Sequence, residues 1–242
     1  MRVKKIYIIV PSAKLESPIK GSIALANELS KKCKVVYVVI KKSEFSSNLL
    51  DPKIKFICLA SSGNLIQSIF NLRNMLKNDG GKNSVACISF CLSADFYNSF
   101  NRDIALTISS VRGNLPKVYR SNYGLLGGLI AYFHLKRLKK LDYVVSMTNS
   151  MSKIVESHID KNSPVIGNFI NEESLEVFRR SSKNQNAYKF VFSGSLIEAK
   201  MPRLIIIAMN ELKRMGIEAK LDIFGEGPLY KELNNLKLQL NL

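Results

Sequence analysis

Short, continuously apolar runs alternate along the chain with longer segments whose apolar positions fall three and four residues apart. Lys5 to Val10, Lys34 to Ile40, Ile54 to Leu59, Val85 to Phe90, Ile104 to Ser109 and Asp142 to Met147 are Val- and Ile-rich stretches of strand length. A run that stays apolar instead of alternating suits a strand covered on both faces, as in a parallel sheet. Between the runs, Leu65, Ile66, Ile69, Phe70, Leu72 and Leu76 share one helical face. Ser22 predicts the cap of an earlier helix carrying Leu25, Ala26 and Leu29. Gly124 to Leu141 predicts a further helix, and Thr148 or Ser150 suits the cap of one running through Ile154. Strand and helix taking turns in this way predict a doubly wound α/β sheet.

The pattern restarts after Asn168. Phe190 to Phe192 is a short apolar run that meets a turn at Ser193-Gly194, and Pro202 suits the first turn of a helix. Leu204, Ile207, Ala208, Leu212 and Met215 predict the buried face of that helix, and Gly216 its C-terminal glycine. Ala219, Leu221 and Ile223 alternate with polar residues as a second strand, stopped by Gly225-Glu226-Gly227, and Pro228 opens another helix. The result is a β-α-β-α run with glycine turns at the carboxyl ends of both strands. Open parallel sheets bind ligands at those ends, and helix N-termini there favour phosphate. Residues 172–187 are polar and predict a helix followed by a loop.

Phe192-Ser-Gly-Ser-Leu-Ile-Glu-Ala-Lys200 followed by Phe224-Gly-Glu-Gly-Pro228 resembles the donor-binding domain of family-4 (GT-B fold) glycosyltransferases. Those enzymes usually show Gly-Arg-Leu, a lysine a few residues on, and Gly-Asp/Glu-Gly-Pro after the next strand. Gly194, Leu196, Lys200, Gly225, Gly227 and Pro228 match, while Ser195 stands where the family usually has arginine. The resemblance implies a GT-B fold. Residues 1–167 would form a complete acceptor-side Rossmann-like domain and 168–242 the beginning of a nucleotide-sugar-binding one, with the crossing near Val165 to Asn171.

The resemblance also implies donor contacts from Gly194, Ser195, Lys200, Gly225, Glu226 and Gly227. In the first domain Gly21 and Ser22 match, in part, a loop that approaches the donor phosphates or the acceptor. Members of the family often carry a histidine in the loop facing the interdomain cleft; here Ser109 to Pro116 occupies that stretch and makes Ser110 and Arg112 the catalytic candidates. The planar fork of Arg112 suits a nucleotide-sugar phosphate, and it suits an ordinary surface turn as well. By the same resemblance the reaction is transfer of a sugar from a nucleotide diphosphate sugar to a cell-surface glycan or polyprenyl-linked acceptor, with retention and without a metal or cofactor. No Asp-x-Asp pair occurs in the chain. The family's Glu-x7-Glu segment would fall beyond Leu242, so the expectation is a second domain cut short and a chain inactive by itself.

Charge adds a second theme. The net charge is +17, and it is one-sided: residues 1–150 hold 23 Lys and Arg against 8 Asp and Glu, a net +15, while residues 151–242 hold 13 against 11, a net +2. Such an excess suits a polyanionic partner, whether nucleic acid, an anionic membrane surface or phosphate-bearing substrates; a lysine-rich composition is the plain alternative. Nucleic acid is disfavoured, because no segment interleaves aromatics with basic residues on one surface. Helix 124–141 is apolar at first and ends in Lys136, Arg137, Lys139 and Lys140, which fits a membrane interface and a core helix with a solvated end equally well. The expected location is cytoplasmic, peripheral on the inner face of the cell membrane. The second class of function is a non-catalytic basic α/β module, or an inactive fragment, that binds an anionic surface or nucleic acid. Cys33, Cys58, Cys87 and Cys91 lack zinc spacing and are expected as buried free thiols, and His134 and His158 as structural or surface residues.

Overall fold

A computed structural model describes residues 3–42, 47–62, 64–168, 175–176 and 188–242. The chain divides into two compact units, Met1–Val177 and Phe178–Leu242. Apart from a helical pair at 175–176, the helix and loop expected over 172–187 lie outside the described residues.

The first unit carries β1 (Lys5–Val10), α1 (Ser17–Ser30), β2 (Lys34–Val39), β3 (Lys55–Cys58), α2 (Leu65–Asn78), β4 (Val85–Phe90), α3 (Cys91–Asn98), β5 (Leu106–Val111), α4 (Leu115–Tyr123), α5 (Leu126–Leu138), β6 (Tyr143–Ser146) and α6 (Asn149–Ile159). The six strands lie in the order β3-β2-β1-β4-β5-β6, and every pairing is parallel. The continuous apolar runs are explained by two covered faces. Ile8, Val10, Val35, Tyr37, Val39 and Phe90 pack with Ile19, Ile23 and Ala26 of α1. Tyr7, Ile9, Val36, Val38 and Cys87 point the other way, to Leu72 and Leu76 of α2 and Ala94 and Tyr97 of α3. Strand order reverses between β1 and β4, so the carboxyl ends of β1, β4 and β5 frame the crevice in which doubly wound sheets bind ligands.

Several local expectations change. The first helix begins at Ser17, with Pro18 in its first turn, so Ser22 is not its cap. Ser22 is fully buried inside α1, where its hydroxyl donates to the Ile19 carbonyl at 2.8 Å and pairs with the Tyr37 hydroxyl at 2.6 Å. Strand β5 runs two residues later than its apolar core suggests, which places Ser109 and Ser110 inside the strand, with Ser110 opposite Phe90. The stretch after it is mostly helix: Asn114 caps α4 by accepting from the Lys117 N–H at 3.2 Å. Only Cys87 of the four free cysteines is buried; Cys33, Cys58 and Cys91 are half-buried.

The second unit pairs β7 (Tyr188–Ser193) in parallel with β8 (Ala219–Phe224) and carries α7 (Pro202–Arg214) and α8 (Tyr230–Gln239). Its core is Leu196, Ile206 and Leu233, backed by Phe192, Leu229, Leu236, Leu240 and Leu242. The inward face of α7 is therefore Pro202 and Ile206, while Leu204, Ile207 and Met215 are exposed. Four successive apolar residues, Leu204 to Ile207, leave the face undetermined by spacing, and packing against Leu233 of α8 decides it. A cavity of about 780 Å³ lies among α7, β8 and α8, lined by Ile206, Met209, Leu221, Ile223 and Leu233. No helix among the described residues is long and apolar enough to cross a membrane.

Candidate functional site

The turns after β7 and β8 are built against each other. The Gly194 N–H donates to the Phe224 carbonyl at 3.0 Å, the Leu196 N–H to the Glu226 carbonyl at 2.9 Å, and the Leu229 N–H to the Leu196 carbonyl at 3.2 Å. This backbone seam leaves no room for side chains on the β8 side. A Cβ on Gly225 would lie 2.9 Å from the carbonyl carbon of Gly194 and closer still to its oxygen, and Gly225 adopts φ +155°. A Cβ on Gly227 would lie 2.7 Å from the carbonyl carbon of Leu196. Gly194 differs: the nearest atom to its Cβ would be a ring carbon of Phe192 at 3.8 Å, an ordinary contact. Packing within the chain thus demands glycine at 225 and 227 but not at 194.

Ser195, Glu226 and Lys200 are exposed around this seam. Lys200 ends a short 3₁₀ turn, Glu198–Lys200, and Met201 follows in the left-handed region at φ +47° before Pro202 starts α7. No side chain caps that helix end. Arg203, which could supply the cation lost at Ser195, is paired with Glu232 at 3.2 Å.

In the first unit, Arg112 leaves β5 under several restraints. Its Nε donates to the Ser110 hydroxyl at 2.9 Å, its Nη1 to the Asn168 side-chain oxygen at 2.7 Å and the Gly167 carbonyl at 3.3 Å, and its guanidinium lies 5.4 Å from the Phe90 ring centre. Burial pulls its pKa down from the ordinary value, yet a guanidinium stays cationic throughout the working range. Ser110 and Arg112 are thereby brought together. Gly21 and Ser22 are not at a helix N-terminus: both lie in the second turn of α1, with the Ser22 hydroxyl turned to Tyr37.

Next to these residues is a buried polar network that the sequence did not announce. Asp95 of α3 accepts from the Ser89 hydroxyl at 2.6 Å and is 2.8 Å from Nε2 of His134 on α5; Nδ1 of His134 is 2.8 Å from the Tyr119 hydroxyl on α4. Asn98 joins it by donating to the Ser89 hydroxyl at 3.0 Å and to the Ile108 carbonyl at 3.1 Å. Cys91, at the junction of β4 and α3, has φ +70°, a strained position for a side-chain residue. Burial, helped by the Asp95 and Glu16 carboxylates, pushes its thiol up to about 12 and keeps it protonated. Among the described residues no three His, Cys, Asp or Glu side chains are gathered to hold a metal.

The sequence matches no protein-family model and no curated protein. Solved structures are similar in fold at low identity. TarM is similar over 99% of this chain and 75% of its own, with TM-score 0.75 and 10% identity. HepE of Anabaena, in complex with UDP and glucose, is similar over 99% of this chain and 67% of its own, with TM-score 0.69 and 12% identity. The lipopolysaccharide outer core galactosyltransferase WaaB, in its apo form, is similar over 98% of this chain and 65% of its own, with TM-score 0.64 and 14% identity. The fold is therefore the α/β, GT-B type that the glycine motifs implied.

Proposed function

We propose that this chain serves glycosyl transfer from a nucleotide diphosphate sugar, with residues 168–242 on the donor side and 1–167 on the acceptor side, and a glycan or lipid-linked hydroxyl as acceptor. The observation that carries the reading is the paired turn at the carboxyl ends of β7 and β8, where Gly194 has no packing reason to lack a side chain. A glycine free of internal demand at a strand end suits close approach by a diphosphate to the backbone. The exposed Lys200 and the uncapped start of α7 lie on the same turn system. Structures that share this fold hold UDP or UDP-glucose in HepE, and UDP with an α-GlcNAc-glycerol in a variant of S. aureus TarM, which supports the substrate class.

In the reaction the acceptor oxygen bonds to the anomeric carbon as the bond from that carbon to the diphosphate oxygen breaks. The diphosphate leaves with the electron pair and takes up the acceptor proton. Preorganised donors stabilise the charge that develops on it; here those donors are the Lys200 ammonium and the Ser195 amide, since the Gly194 and Leu196 amides are engaged in the seam. We infer a metal-independent, retaining course, and attachment to the inner face of a membrane in the cytoplasm, from the family resemblance and the basic excess.

Titration of the chain with UDP tests the reading. Binding is expected to persist in the presence of a chelator. Lys200→Ala removes a charge-assisted contact of about 1.5–3 kcal/mol, or roughly ten- to a hundredfold in affinity. Binding abolished by chelator, or unchanged in Lys200→Ala, refutes the assignment. Loss of UDP binding altogether, with anionic-surface binding kept, returns the non-catalytic module.

A further inference from the structure

We propose that the helix pair α4–α5 is the element that docks this protein on an anionic lipid bilayer, with Leu125 and Leu126 at its turn entering the acyl boundary. This rests on the membrane attachment inferred above and adds to it a docking element, an orientation and an apolar component.

The turn carries the most exposed large apolar side chain among the described residues: Leu125 is 96% exposed and Leu126 67%. Leu129, Tyr132 and Phe133 continue the exposed stripe along α5, all more than half exposed, while Gly127, Ala131, His134, Leu135 and Leu138 face inward. Both faces of α5 are thus apolar, and among the described residues of this unit only one has a partner. Along the helix the chemistry is graded. Leucines stand at the turn, then the edge-to-face pair Tyr132 and Phe133, then Lys136 with its ammonium 5.9 Å from the Tyr132 ring centre, then Lys139 and Lys140. At 1.5 Å of rise per residue, Leu126 and Lys136 are about 15 Å apart along the axis. That order matches the depth profile of a bilayer, from acyl chains through an aromatic belt to headgroups.

Charge selects the occupant. No Asp or Glu occurs between Asp103 and Asp142, whereas Lys117 and Arg120 on α4, Lys136 on α5, and Lys139 and Lys140 just past its end are basic and exposed. Arg137 is otherwise engaged, over the Phe96 ring at 4.7 Å. The pair is also held stiffly enough to insert. A Cβ on Gly127 would lie 2.5 Å from the Arg120 amide nitrogen, so the two helices touch backbone to backbone there. The Tyr119–His134–Asp95 chain then ties both helices to α3.

The chain contains no tryptophan, so Leu126→Trp gives a single reporter. With vesicles of phosphatidylglycerol and phosphatidylcholine, its emission is expected to shift to the blue and to be quenched by shallowly brominated lipid; with phosphatidylcholine alone the shift should be small. Leu125→Asp with Leu126→Asp should weaken vesicle partitioning at least roughly tenfold and leave UDP titration unchanged. Lys136→Glu with Lys140→Glu should weaken it in a salt-dependent way, by at least about 1 kcal/mol or fivefold per residue. Co-sedimentation without a tryptophan shift, no co-sedimentation, or self-association that Leu125→Asp abolishes in the absence of vesicle binding would each overturn the proposal. Vesicle docking with UDP binding lost fails the glycosyl-transfer reading alone, and the converse fails this one alone.

Discussion

Gly225→Ala should open the seam between the two turns of the second unit. The added Cβ would lie 2.9 Å from the carbonyl carbon of Gly194 and nearer to its oxygen, where ordinary carbon–oxygen approach is about 3.3 Å. The turn after β7 must therefore retreat by roughly 1 Å, an overpacking cost of about 1–3 kcal/mol. That movement stretches the 3.0 Å bond from Gly194 to Phe224 and the 2.9 Å bond from Leu196 to Glu226, each worth about 0.5–1.5 kcal/mol. The backbone at φ +155° adds about 1–3 kcal/mol of its own for a side-chain residue. The terms overlap, and about 3–5 kcal/mol is the expected total. Two controls separate the causes. Gly216→Ala meets open space at φ +71°, so only the left-handed backbone cost of about 1–2 kcal/mol remains. Gly194→Ala meets only the Phe192 ring at 3.8 Å and should change stability by no more than about 0.5 kcal/mol. Native-state hydrogen exchange of the Gly194, Leu196 and Leu229 amides reads the local opening directly. If Gly225→Ala costs no more than Gly216→Ala, the steric argument fails. If Gly194→Ala leaves both exchange and UDP affinity untouched, the diphosphate does not approach that backbone.

Other tests address the first unit. His134→Ala strips a partner from Asp95 inside a pair whose side chains are 1% and 2% exposed, so urea unfolding should show a loss of about 3–5 kcal/mol; a loss below about 1 kcal/mol would refute the buried pair. Asp142 should contribute to acid sensitivity. Burial raises its pKa, but the Thr107 N–H and hydroxyl, each at 3.0 Å, and Arg102 at 3.1 Å outweigh that and hold it below the ordinary carboxylate value. Its stabilisation is then present above the unfolded value of about 3.9 and is lost as pH falls through the lower folded one. Asp79 behaves alike, with Lys5 at 2.6 Å and the Tyr7 hydroxyl overcoming its burial. Urea midpoints from pH 6 to 2 should fall less steeply in Asp142→Asn; an unchanged slope would refute the assignment.

The sheet was legible because its strands are buried on both faces, so that burial alone writes the Val and Ile runs. The helices were less so. Helix α3 follows β4 without a break residue, through a left-handed Cys91 that ordinary chain grammar does not anticipate. Helix α4 was hidden in a polar stretch, although Asn114 and Pro116 are a cap and a first-turn proline in plain sight. Ser22 misled for the opposite reason: a hydroxyl before apolar positions suits a cap, but Pro18 had already started the helix. In α7 the four apolar residues Leu204 to Ile207 contain two competing faces, and only contact with α8 chooses between them.

At the candidate site, spacing revealed that two glycine turns exist but not what each glycine is for. Gly225 and Gly227 are required by atoms of the other turn, about thirty residues earlier in the chain, and no local pattern records that contact. The Asp95–His134–Tyr119 chain is silent for the same reason, since its links join residues 39 and 15 positions apart. Arg112 shows a third case: its residue type signals an anion site, but its bonds to Ser110, Gly167 and Asn168 give it a structural role whatever else it does. Loss of function in Gly225, Gly227 or Arg112 variants would therefore mix folding with chemistry. Gly194 and Lys200 are the positions where the two separate. One meets no close neighbour and the other is exposed, so a change in ligand affinity at either reads the site and not the fold.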